Sequence, residues 1–288
     1  MEPKNLIDFI GLGAQRCGTS WIYAQLYEHP QICMPRKEIH FFSKDENWQK
    51  GIGWYENIFK NCPKGKLRGE FSTSYLPSRI AAERIYQYYP KTKLITCLRN
   101  PVQRAFSAFK NDIMGGVLPK NKSFEKALSE DKDYIIRGFY FHQLKNYLSL
   151  FSREQILILI YEDSKKDPKE YIKKIYRFLG VDDSFLPSML NKVINKGRTP
   201  QFVFIDEFIY RVASFLRIRG FHKLVWLGKK TGIPEFIREL NTQKKKTPEL
   251  KESTRSALEK IFAKDVAELS KFLNRDLSEI WFNYKRYL

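Results

Sequence analysis

Apolar positions along the chain follow two rhythms. Residues 6–13 (LIDFIGLG), 93–98 (KLITCL) and 155–161 (QILILIY) are short, nearly unbroken apolar runs of the length and β-branched content of buried strands, and 67–71 is a weaker fourth. Between the runs, helical spacing is legible over 19–27, where Trp21, Ile22 and Leu26 share a side, and over 78–89, 102–113, 139–151 and 168–179. Strands buried on both faces that alternate with helices predict an α/β fold, a central parallel sheet flanked by helices in a three-layer sandwich. Beyond Gly180 the texture changes to long helical segments at 203–216, 234–240 and 248–272. One domain over 1–288 is expected, with a core at 6–181 and a helical C-terminal part at 182–288. Residues 35–37, 51–54 and 111–122 read as loops, the last around Gly115 and Gly116.

Composition narrows the classes. Of 288 residues 43% are hydrophobic and 15% aromatic, which excludes intrinsic disorder. Lys and Arg number 51 against 32 Asp and Glu, a net charge of +19, so the partner sought is anionic: nucleic acid, acidic membrane, a phosphorylated or sulfated ligand, or an acidic glycan. Cys17, Cys33, Cys62 and Cys97 are scattered with no CxxC pair, which argues against a zinc site or a disulfide framework and for a reducing, cytoplasmic setting. No run of about eighteen apolar residues is present to span a bilayer.

The chemistry starts at Gly13-Ala-Gln-Arg-Cys-Gly-Thr-Ser20, which leaves a strand and opens a helix. Backbone amides and the positive helix end there make a phosphate cradle. The glycine spacing is that of the GxxxxGK[ST] loop, but Thr19 stands where the lysine belongs, and the basic side chain sits earlier, at Arg16. A tight turn alone would also use these glycines. Leu98-Arg99-Asn100-Pro101 then follows the 93–98 strand, with Asn100 placed as N-cap, Pro101 at the first helical position and Ser107 two turns on. Strand ends of an open parallel sheet are where ligands bind, so Arg99 and Ser107 are placed to grip a second phosphate.

These residues carry a resemblance. GAQRCGTS resembles the 5′-phosphosulfate loop of sulfotransferases that use 3′-phosphoadenylyl sulfate (PAPS), and LRNPVQRAFSAF resembles their 3′-phosphate segment. Lys37-Glu38-Ile39-His40-Phe41-Phe42 is similar to the KExHFF segment of heparan-sulfate-type carbohydrate sulfotransferases, and Arg137-Gly138-Phe139-Tyr140 followed by QILILIYED and FLGV keeps their order. The resemblance implies a sulfotransferase with PAPS as co-substrate, 3′-phosphoadenosine 5′-phosphate (PAP) as product and no metal. Sulfuryl transfer moves a less charged group than phosphoryl transfer, so side-chain cations and loop amides can stabilise the leaving phosphate without a metal clamp.

The resemblance also distributes roles. Glu38 is the expected base, with His40 to orient it from the same side of an extended segment. Arg16 replaces a lysine and would neutralise the bridging oxygen of the leaving group, now as a planar fork, with Lys37 as a second cation. Cys17 and Gly18 through their amides, with Thr19 and Ser20, would hold the 5′-phosphate, and Arg99 and Ser107 the 3′-phosphate. Lys196, Gly197 and Arg198 resemble the family's KGR loop over the nucleotide. Lys37, Glu70, Tyr75, Tyr140 and His142 are candidate acceptor contacts. Phe71 takes the place of a lysine that assists in the heparan enzymes, which argues against heparan itself and leaves an anionic or carbohydrate acceptor, including glycolipid.

Residues 208–234 contain no acid, and their basic and aromatic residues read either as a packed helix with a solvated face or as peripheral contact with an anionic membrane. Two other functions fit parts of the pattern. A P-loop kinase needs the missing lysine and magnesium, and a basic nucleic-acid binder lacks any recognisable motif, so no nucleic-acid partner is expected. Family members of the secretory pathway carry an N-terminal membrane anchor, so a cytoplasmic, bacterial-type enzyme is expected unless an anchor has been removed.

Overall fold

Five parallel strands in the order β2-β3-β1-β4-β5 form the sheet of this computed structural model, which describes residues 6–188, 190 and 248–282. The first part of the chain runs β1 (Phe9–Gly13), α1 (Thr19–Glu28), β2 (Ile32–Cys33), α2 (Asp45–Trp48), α3 (Ile52–Asn57), β3 (Leu67–Phe71), α4 (Arg79–Tyr88) and β4 (Lys93–Leu98). It continues through α5 (Pro101–Met114), α6 (Phe124–Glu130), α7 (Asp133–Ile136), α8 (Tyr140–Leu148), β5 (Ile156–Ile160), α9 (Tyr161–Lys166) and α10 (Pro168–Leu179), then α11 (Glu252–Leu273) and α12 (Leu277–Trp281). The two-residue edge strand β2 is too short to leave a periodic signal. The helices found at 52–57 and 124–130, and the last turn of α5, lie where loops were expected or nothing was assigned.

Local chemistry sets the element ends. Asn100 accepts from the amides of Val102 and Gln103 at 2.9 and 3.1 Å with Pro101 next to it, so α5 starts where the sequence places it. Asp167 and Pro168 start α10, and Gly180, at φ +81°, ends it in the left-handed conformation. β1 lies at the centre, with β3 on one side and β4 on the other. The chain passes from β1 outward to β2 on one side and later from β3 across β1 to β4 on the other, so the carboxyl end of β1 is the switch point at which an open α/β sheet forms its binding crevice. The loop 14–18 occupies that point.

The C-terminal helices pack into the same structure. Asp265 on α11 accepts the backbone N–H groups of Phe141 and His142 at 3.0 and 2.9 Å, which caps α8 from outside. Buried Trp281 on α12 donates Nε1–H to Glu162 at 3.0 Å, and its carbonyl accepts from the Asn100 side chain. Arg275 forms a two-pronged ion pair with Asp163 at 2.6 and 2.7 Å. Residues 196–198 and 203–240 lie outside the described residues. Among the described residues no helix is long and apolar enough to cross a membrane.

One expectation is corrected. Cys33 and Cys62 form a disulfide across 29 positions, while Cys17 and Cys97 are free and buried. β2 pairs in parallel with β3, so the segment entering β3 returns alongside Cys33. That juxtaposition is made by the sheet and has no CxxC-like local signature. The argument from scattered cysteines to a reducing compartment loses its premise. In the chain-entropy account a loop of this size contributes about 3–4 kcal/mol. The double substitution Cys33→Ala, Cys62→Ala is therefore expected to lower the unfolding free energy in urea by that amount, and a change below about 1 kcal/mol would show the bond to be energetically idle.

Candidate active site

Three non-glycine residues at one end of the sheet hold left-handed backbone angles: Arg16 at φ +68°, Glu38 at +58° and His40 at +56°. Each such conformation costs about 1–2 kcal/mol and persists where surrounding bonds fix it. The fixing bonds are visible. Glu38 N–H donates to the Phe71 carbonyl at 2.8 Å and His40 N–H to Ser72 Oγ at 2.9 Å, which stitches the 38–40 segment to the end of β3. Phe41 and Phe42 behind it are fully buried, Phe41 stacked on Tyr55 at 4.8 Å, so the segment cannot lift from the core.

The loop, this segment and the β4 end share one cleft of about 810 Å³, walled by Arg16, Gly18, Thr19, Ser20, Lys37, Glu38, His40, Thr73, Ser74, Arg99, Ser107, Arg137 and Tyr161 among others. Gly18, at φ +84°, opens α1 with no side-chain cap, so the amides of Thr19 and Ser20 are left for an anion, the Trp21 N–H being taken by the Gly18 carbonyl at 2.9 Å. A Cβ there would come within 2.8 Å of the Tyr161 ring, so the approach of loop to β5 requires glycine.

Charge in the cleft is arranged in two places. At the β4 end, the Arg16 guanidinium donates to Ser107 at 3.3 Å and Asn111 at 2.9 Å, and Arg99 lies over the Tyr161 ring at 5.0 Å and reaches the Arg16 carbonyl at 3.4 Å. Burial, with Arg99 beside it, lowers the pKa of Arg16, and burial with both arginines lowers that of Lys110. A cluster of cations that depress one another is a site prepared for an anion. At the other place, Lys37 Nζ donates to Ser20 at 2.6 Å and lies 3.7 Å from Glu38 Oε1. The lysine missing from the loop is thus supplied from the segment before Glu38. Burial lowers the pKa of Lys37, with Glu38 opposing that shift.

Glu38 and His40 meet, but not through an extended segment. Their left-handed backbones turn His40 Nε2 to 3.3 Å from Glu38 Oε2. Arg16, expected at the bridging oxygen, points instead to Ser107, and Lys37, expected at the acceptor or as a second cation at the leaving group, sits against the loop. Cys17 is buried off the cleft: its amide is taken by the Ala14 carbonyl at 3.3 Å, its thiol lies 3.7 Å from the Tyr140 hydroxyl, and burial pushes that thiol up to about 11.

The acceptor candidates fare differently. Glu70, Tyr75 and Tyr140 are fully buried and cannot touch an acceptor in this conformation. Glu70 accepts from Ser72 and Tyr75 at 2.6 Å each and from Tyr55 at 3.3 Å, and burial raises its pKa to about 7. His142 faces a separate cavity between α8 and α11 with Phe139 and Ile261. Phe71 is also buried, its ring filling the space beside Gly11, so this position faces the core. Thr73, Ser74 and Tyr161, by contrast, line the cleft without having been singled out. Tyr161 directly follows β5, a position at the binding edge of the sheet that is itself a usable signal.

An open parallel sheet with an anion loop at its switch point, cations at the adjacent strand end and a carboxylate facing the loop defines a group-transfer protein of the phosphate-loop class. The chain belongs to the sulfotransferase domain family, whose model matches residues 6–198. It is 26% identical over 301 residues to the bifunctional heparan sulfate N-deacetylase/N-sulfotransferase 1 of Caenorhabditis briggsae, covering 97% of this chain and 31% of that protein. It is 29% identical over 187 residues to the heparan sulfate glucosamine 3-O-sulfotransferase 3B1 of Mus musculus, covering 62% of this chain and 47% of the relative. The chain thus spans less than half the length of either. Among solved structures, the sulfotransferase from Alicyclobacillus acidocaldarius matches with a TM-score of 0.69 and 26% identity, over 94% of this chain and 97% of that one.

Proposed function

We propose that the chain transfers a sulfuryl group from PAPS to a hydroxyl or amine of a carbohydrate or glycolipid acceptor, with Glu38 as the base. The observation that carries this reading is the pairing, in one cleft, of two separate anion-binding places with a carboxylate beside one of them. A nucleotide with phosphates at both ends of its ribose has the charge pattern those places fit. Arg16, Arg99 and Ser107 would hold the 3′-phosphate, and the amides of Gly18, Thr19 and Ser20 with Lys37 the 5′ end.

PAPS supplies an activated sulfur whose bond to the bridging oxygen breaks as the bond to the acceptor oxygen or nitrogen forms. Glu38 takes the proton that the acceptor loses as it attacks. Lys37, beside Ser20, meets the negative charge that develops on the departing phosphate. Relatives that act on heparan sulfate favour a carbohydrate acceptor, and Arg137 on the cleft wall adds a cation near His40 that suits an anionic one.

The test is transfer of labelled sulfate from PAPS to a panel of glycans, glycolipids and small phenols, with and without EDTA. Label in the carbohydrate fractions, retained with EDTA, is expected. Label confined to phenols would overturn the acceptor class, a strict metal requirement the metal-free mechanism, and no transfer to any acceptor the whole reading.

A further inference from the structure

The three residues that follow Phe71 and Glu70 each make a bond to the Glu38–His40 pair. Ser72 Oγ accepts from His40 N–H at 2.9 Å and donates to buried Glu70 at 2.6 Å. Thr73 gives Glu38 Oε2 both its N–H, at 3.0 Å, and its hydroxyl, at 3.1 Å. Ser74 Oγ lies 2.6 Å from His40 Nδ1 and 2.6 Å from Ser43 Oγ.

The direction of these bonds follows from one fixed point. His40 Nε2 lies 3.3 Å from Glu38 Oε2, an approach at which a ring N–H is attracted to the carboxylate and a ring lone pair is repelled by it, so Nε2 is assigned the hydrogen. In the neutral ring Nδ1 is then an acceptor, so the Ser74 hydroxyl donates to it, and the oxygen of Ser74 receives the hydrogen of Ser43. Glu38 Oε2 thus receives the two Thr73 bonds and faces the His40 N–H. Among the described residues no hydrogen bond is made to Oε1, and the Lys37 ammonium lies 3.7 Å from it.

On the reading that Glu38 is the base, we propose that Ser74, backed by Ser43, is a positioning residue: its hydroxyl holds His40 in the Nε2–H tautomer, so that Glu38 Oε2 stays engaged and the acceptor proton is taken at Oε1. The surroundings of His40 agree. Burial lowers its pKa and Glu38 raises it, while Lys44 and Arg36 along the same segment, and Arg137 at the end of α7, oppose a positive ring. Without the Ser74 hydroxyl, Nδ1 is free to take up a proton, and a ring protonated only there would turn a lone pair toward Glu38.

Two readouts test this, one of them independent of activity. By nitrogen-15 imidazole resonances, with His40→Gln to identify the signal, wild-type His40 should be the Nε2–H tautomer near neutral pH. In Ser74→Ala its protonation midpoint should rise by about 0.5–1 pH unit, the equivalent of one ordinary hydrogen bond. In sulfate transfer, Ser74→Ala should move the acid limb of the kcat–pH profile up by the same amount and lower kcat near neutrality about 3–10-fold, with PAP affinity unchanged; Ser74→Thr, which keeps the hydroxyl, should restore both. Ser43→Ala should act in the same direction and more weakly, and decides the matter should Ser74→Ala fail to fold. An unmoved His40 titration in the folded variants, a wild-type ring of the Nδ1–H form, or a Ser74→Thr enzyme as impaired as Ser74→Ala would overturn the proposal. Absence of any sulfate transfer by the wild type would instead remove the assignment of Glu38 and leave the imidazole result to stand by itself.

Discussion

Glu38→Gln is expected to lower kcat for sulfate transfer by about 10²–10⁴-fold, the range over which a positioned proton acceptor contributes. The substitution keeps the shape of the side chain and one carbonyl-type oxygen to receive the Thr73 bonds, now at 3.0 and 3.1 Å, so the loop has no reason to rearrange. What it removes is basicity at the atom facing Lys37. The cations around Arg99 lie against the Ser107 end of the cleft and not against Glu38, so PAP affinity by calorimetry should stay within a few-fold of wild type. Full turnover in the folded variant would end the case for this carboxylate; a parallel collapse of nucleotide binding would mean that it serves the donor rather than the proton.

Arg99→Ala should weaken PAP by about 10–100-fold, as expected for loss of one charge-assisted contact to phosphate. The effect should nearly vanish for adenosine 5′-phosphate, which lacks the 3′ group. This selectivity follows from position: Arg99 lies over Tyr161 and reaches the carbonyl of Arg16, whose side chain meets Ser107, whereas Lys37 meets Ser20. Arg99→Lys should recover part of the loss, since it returns the charge without the planar fork. Equal losses for both nucleotides would place Arg99 outside the 3′-phosphate site.

The sheet was readable because its signals are local. β4 and α10 appear at the residues where the apolar run and the helical spacing place them, and Asn100 caps α5 as its position predicts. Residues whose roles depend on two segments meeting were not readable. Ser74 and Thr73 look like ordinary turn residues until the 38–40 segment is laid against them. The Cys33–Cys62 bond depends on parallel pairing of a strand only two residues long. Glu70, Tyr75 and Tyr140 are polar and lie near motifs, yet they satisfy one another or a neighbour inside the core, and a linear sequence does not distinguish a buried hydroxyl from one that faces a cleft.

The contact of Trp281 with Asn100 and Glu162 reaches beyond stability. Asn100 adjoins Arg99, and Glu162, besides receiving the indole hydrogen, accepts the Asn100 amide at 3.2 Å, so the turn that aims Arg99 is braced from the far C-terminus. The family match stops at residue 198. A shortened protein cut there, or a chimaera joined there to another member's tail, would separate the turn from its brace, and nucleotide preference would then change with the tail through the aim of Arg99.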